Sequence, residues 1–80
     1  MKLWLLTGTA SGYDTYDGVV VAAANEEKAK KILPSPYMDW GKSSTTWSWA
    51  EAPDQVTAKL IGTAVKGTPE GVVLDSFNAG

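Results

Sequence analysis

The sequence predicts a single α+β domain spanning residues 1–80, with the chain order ββαββ and a four-stranded, mainly antiparallel sheet carrying one helix on one face. Three observations predict it. Residues 18–24 (GVVVAAA) form a β-branched apolar run whose small alanines let a helix lie close, as in a strand covered on at least one face. Residues 25–33 follow with the chemistry of a helix start and stop. Residues 55–65 then alternate apolar and polar side chains, and a turn dense in Gly and Pro separates them from a last extended segment, 72–78.

The first strand is expected at residues 2–7, with Leu3 and Leu5 on one face and Trp4 and Leu6 on the other. Its apolar start is too short for a signal peptide, and polar residues follow from Thr7. Residues 8–12 read as a flexible connector, so the simplest topology is an antiparallel hairpin with Tyr13-Asp14-Thr15-Tyr16-Asp17 at its end or along its edge. In the helix, Asn25 accepts from first-turn amides, Glu26 and Glu27 sit at the positive end of the dipole, and Lys28, Lys30 and Lys31 sit toward the negative end. Ala29, Ile32 and Leu33 form the stripe that packs on the sheet, and Pro34 and Pro36 forbid continuation. A structureless loop over residues 33–53 would be suspect in so small a domain, and its tryptophans are expected to pin it down. Trp47 and Trp49, in a short extended piece at 45–50, would share one face, either closing the core or leaving one ring exposed as an interface anchor. Residues 55–65 and 72–78 are expected to pair as a second hairpin.

Composition narrows the function classes. The chain has neither histidine nor cysteine, so the usual proton shuttles and thiol nucleophile are missing, and no disulfide framework or thiolate metal site exists. An enzyme is therefore not expected, nor is a cofactor. Asp14 and Asp17 flank Thr15 in a manner that oxygen-ligated cations use, but two carboxylates do not make a site. Residues 8–12 lack the lysine and the following helix of a phosphate-binding loop. No run approaches the ~20 apolar residues of a membrane span.

Nine acids stand against seven lysines, for a net charge of −2, and there is no arginine. Removing residues 18–33 leaves seven acids and four lysines, so the loops are acidic and the helix is basic. That disfavours nucleic acid as a direct ligand and favours a basic partner. Tyr13, Asp14, Tyr16 and Asp17 are the most informative cluster. Tyrosine offers rigid amphipathic area and the carboxylates offer complementarity to lysine or arginine, although the same residues also serve to pack a sheet edge and cap turns.

From residues 3–6, through Tyr13-Asp14-Thr15-Tyr16-Asp17, to Val19-Val20-Val21-Ala22-Ala23 and Glu26-Glu27-Lys28-Ala29, the chain resembles a group of small phage- and prophage-encoded proteins. They share a Tyr-Asp pair before the strand, a tryptophan-containing middle and an ending like Ser76-Phe77-Asn78-Ala79-Gly80. Small acidic phage proteins of this size include anti-CRISPR proteins. The resemblance implies a non-enzymatic inhibitor in the host bacterial cytoplasm, a monomer or weak homodimer without membrane contact. Its partner would be the basic, DNA-binding surface of a type I CRISPR effector subunit, blocked by an acidic imitation of duplex phosphates. Asp14, Asp17, Asp39, Glu51, Asp54 and Glu70 would supply charge, with Tyr13, Tyr16 and Trp40 as anchors. The alternative is a small phage accessory or structural protein acting through self-association or adaptor contacts at an exposed strand edge or tryptophan patch.

Overall fold

Lys2–Thr7 forms the first strand, β1, and Thr15–Ala23 the second, β2, in a computed structural model that describes residues 1–78. The two pair antiparallel, with Trp4 opposite Val21 and Leu6 opposite Val19. β-branched valines fill the pleated centre of β2, where their restricted side chains pack against neighbours. A third strand, β3 (Thr57–Thr63), adds to the free edge of β1, and a fourth, β4 (Gly71–Asn78), adds to the free edge of β2. The result is one antiparallel sheet in the order β3-β1-β2-β4. With the short helix α1 (Glu26–Lys31), it makes a small α+β fold.

The expected ββαββ succession of two hairpins is not matched. β3 and β4 stand on opposite edges, and 3₁₀ turns at Ser43–Thr45 and Pro53–Gln55 intervene between α1 and β3. The reason is geometric. The β1–β2 hairpin leaves one open edge on each side, and residues 64–70 need to cross only about 14 Å, three strand spacings, to carry the chain from one to the other. Seven residues extend to roughly 23 Å. The Ala64 amide donates to the Met1 carbonyl at 2.9 Å, tying this crossing to the start of β1. Local alternation in β3 and β4 was compatible with either arrangement.

One face of the sheet is covered. Trp4, Leu6, Val19, Val21 and Ala23 meet Ala29 of α1 together with Trp49, Ala50 and Val56, all buried. Asn25 caps the helix as its chemistry predicts, its Oδ1 accepting from the Lys28 amide at 2.9 Å. α1 ends at Lys31, two residues before the expected boundary. Ile32 is extended at φ −75°, ψ 122°, and Leu33 precedes Pro34, a position biased away from helix. Both side chains still pack against the core. β2 begins three residues earlier than expected, at Thr15, so Tyr16 and Asp17 belong to the sheet. Among the described residues, no helix is long and apolar enough to cross a membrane.

A candidate partner-binding end

The chain leaving β1 is clamped onto the segment around Trp49. The amides of Thr9 and Ala10 both donate to the Trp49 carbonyl, at 2.9 and 3.0 Å. Gly8 makes this approach possible, because a Cβ there would lie 2.4 Å from that oxygen. Residues 8–10 are therefore a fitted contact rather than the flexible connector the composition implies.

Beyond it the chain turns through two left-handed residues, Gly12 at φ 97° and Asp14 at φ 60°. Aspartate is among the few side chains that tolerate that conformation. The Gly12 carbonyl accepts from Thr15 Oγ1 at 2.7 Å and from Asn78 Nδ2 at 3.0 Å, while the Asp14 amide donates to the Asn78 carbonyl. Tyr13 and Asp14 thus stand at the tip of a turn tied at both sides, and Tyr13 is 76% exposed. Tyr16 is half-buried, edge-on to Trp49 with ring centres 6.3 Å apart and to Phe77 at 4.9 Å. Its ring is a support, not a free anchor. Asp17 sits in a bulge of β2 and accepts from Ser76 Oγ at 3.4 Å.

Two further aromatic residues join this end: Phe77, which carried no site expectation, and Trp47, one of the two tryptophans expected either to close the core or to leave a ring exposed as an interface anchor. Phe77 pairs with Tyr16 across the β2–β4 ladder and remains exposed. Trp47 is 64% exposed, while Trp49 is fully buried. The two tryptophans do not share a face because residues 43–49 turn instead of extending. A 3₁₀ turn at Ser43–Thr45 is followed by a Trp49 amide donating to the Thr46 carbonyl at 3.0 Å. Trp47 precedes Ser48, whose carbonyl accepts the Tyr16 amide at 3.1 Å, and this places it beside the start of β2.

The remaining predicted residues do not converge here. Asp39 closes its own turn, with Oδ1 accepting from the Gly41 amide at 2.8 Å. Trp40 is half-buried and donates its indole N–H to the Lys31 carbonyl at 2.8 Å, so it pins the loop to the helix end. Glu51 is exposed just past the buried Ala50, and Asp54 borders a groove with Glu26, Glu27, Lys30 and Lys31. Glu70 precedes Gly71, which pairs with Ala22, whereas Phe77 pairs with Tyr16. Glu70 therefore lies at the opposite end of the sheet, about 20 Å away along β4.

The electrostatics of the Tyr13 end are simple. No lysine occurs between Lys2 and Lys28. Among the described residues the ion pair formed is Glu27–Lys31 at 3.8 Å on the helix surface, so Asp14 and Asp17 keep their charge for solvent or a partner. Three metal-ligating side chains do not cluster anywhere among the described residues. Comparisons with family models, with curated proteins and with solved structures give no match. The fold and this end define a class only: a small α+β protein presenting acids and aromatic rings at one end of its sheet.

Proposed function

We propose that the Tyr13–Asp17 end docks onto a basic protein surface that otherwise holds DNA, and that the protein is a stoichiometric inhibitor of the anti-CRISPR kind, acting in the bacterial host cytoplasm. The observation that carries the reading is a hydrogen-bonded turn that presents exposed Tyr13 and Asp14, beside the β2 bulge at Asp17 and the exposed rings of Phe77 on β4 and Trp47 next to the start of β2, with no ion pair to either carboxylate among the described residues. Grooves built for nucleic acid are lined with cations and stacking side chains, and carboxylates beside aromatic rings complement both. A turn already fixed before binding loses little conformational entropy when it docks. The resemblance to small phage proteins supplies the partner class, a type I CRISPR effector subunit. Trp40 and the carboxylates of Asp39, Asp54 and Glu70 are not needed for this contact, and no catalytic step is involved.

The test is competition for DNA on a purified type I effector complex. Addition of the protein is expected to displace duplex DNA at near-stoichiometric ratio, with weaker displacement as salt rises. Asp14→Asn/Asp17→Asn, which keeps side-chain size and suits the left-handed turn, is expected to lose at least about tenfold in potency, as charged contacts at an interface core do. Undiminished potency of that double variant would remove these aspartates from the contact.

A further inference from the structure

The two edges of the sheet differ. β3 carries Lys59 and a bulge at Ile61, and α1 packs against it, all devices that blunt a strand edge. β4 contains neither lysine nor proline, and its residues 72–77 are all exposed. Its own irregularity is the extra residue Val73, so residues 74–78 form a regular edge that runs to the Tyr13 end. Tyr16 stands opposite Phe77 but gives its amide to the Ser48 carbonyl at 3.1 Å, not to β4. The Tyr16–Phe77 pair is therefore a non-hydrogen-bonded one, and Phe77 turns its N–H and C=O away from β2. By the same alternation, so does Asp75. Among the described residues, no hydrogen bond outside the β2 ladder reaches these main-chain groups.

We propose that this edge takes an extended, basic segment of the partner protein as a fifth strand, an inference that rests on the docking of the Tyr13 end and adds its mode of recognition. Charge and position both favour that occupant. Asp75 shares a face with its cross-strand neighbour Val19, and Phe77 shares that face with Tyr16. A lysine or arginine opposite Asp75 meets a carboxylate that has no ion pair among the described residues, and it borders the Phe77 ring. On the other face Leu74, 67% exposed, takes an apolar side chain. A strand alternating basic and apolar residues satisfies both faces, whereas an acidic one is repelled by Asp75 and Asp14. The edge is also continuous with the docking end, because Asn78 at its limit accepts the Asp14 amide and donates to the Gly12 carbonyl. A partner that meets Tyr13 is already at the end of this edge. With outward groups on Asp75 and Phe77 only, the added strand supplements the docking end and does not replace it.

The first probe is an alternating Lys–Val peptide of about seven residues, added at up to about 5 mM, where so few contacts become populated, with a Glu–Val peptide of the same length as control. Amide hydrogen exchange at Asp75 and Phe77, read by NMR, is expected to slow at least about fivefold with the Lys–Val peptide and to stay unchanged with the Glu–Val peptide. Exchange unmoved by the Lys–Val peptide overturns the inference, as does equal slowing by both. Slowing in the protein alone as its own concentration rises would put a second copy on the edge and overturn it too. On the type I effector complex, Asp75→Asn removes the charge alone, while Asp75→Pro also removes the outward N–H, a change that an edge strand tolerates. Asp75→Pro is expected to displace DNA several-fold more weakly than Asp75→Asn. Equal potency overturns the strand addition and leaves the docking of the Tyr13 end standing. A wild type that displaces no DNA fails the docking reading instead, and the peptide result then decides the edge by itself. If Asp75→Pro proves unfolded by circular dichroism, the peptide measurement likewise decides.

Discussion

β2 is a strand of two halves. From Val19 to Ala23 most side chains are fully buried, each small or β-branched, leading into a helix whose N-cap is satisfied. At its other end a bulge throws Asp17 out of register, and the preceding turn carries Tyr13 and Asp14 into solvent. Trp47 and Trp49 repeat the division two residues apart, one ring outside and one within. The contrast teaches that folding and binding rest on different residues, even where they are neighbours in the chain. A buried ring gains its stabilisation from neighbours on every side, while an exposed one on a rigid support holds apolar area ready for a partner.

Substitutions can break that contrast in graded steps. Trp49→Ala should cost the most, about 3–5 kcal/mol, as expected for a fully buried tryptophan, and in a domain of this size that approaches complete unfolding in a urea titration. Gly8→Ala comes next, at about 1–3 kcal/mol, because its Cβ meets the Trp49 backbone. Hydrogen exchange at the Thr9 and Ala10 amides should accelerate before global unfolding, showing that the clamp opens first. Asn25→Ala should cost about 1 kcal/mol in thermal unfolding, the worth of an N-cap, without touching the Tyr13 end. Tyr13→Ala should change stability by no more than about 0.5 kcal/mol, the scale of a surface substitution, while weakening partner binding.

The local elements were largely legible because their signals are local. The apolar run of β2, the cap at Asn25 and the prolines after Leu33 each act within a few residues. Sheet order was not legible. Whether β3 pairs with β4 or with β1 depends on which edges the first hairpin leaves open, and alternation in residues 57–63 looks the same in both cases. The acidic-aromatic turn was visible as composition, and Tyr13, Asp14, Tyr16 and Asp17 do stand together. Glu70 did not join them because nothing in the chain shows that it lies at the far end of β4. Trp47 was misplaced for a different reason. The period-2 rule that put it beside Trp49 holds only for extended backbone, and residues 43–49 turn. Gly8 carried no signal at all, since its need is set by a carbonyl forty-one residues away. The expected ending at Ala79 and Gly80 lies outside the described residues.

The measurement that tests the separation of folding from binding most directly takes Asp14→Asn/Asp17→Asn through both assays at once. Thermal unfolding should superimpose on the wild type, since both carboxylates are exposed and without ion pairs among the described residues, while displacement of DNA from the type I effector complex should weaken at least about tenfold. Unchanged displacement with an unchanged melting curve would contradict the docking role of this end, and equal losses in both would show that these aspartates hold the fold together instead.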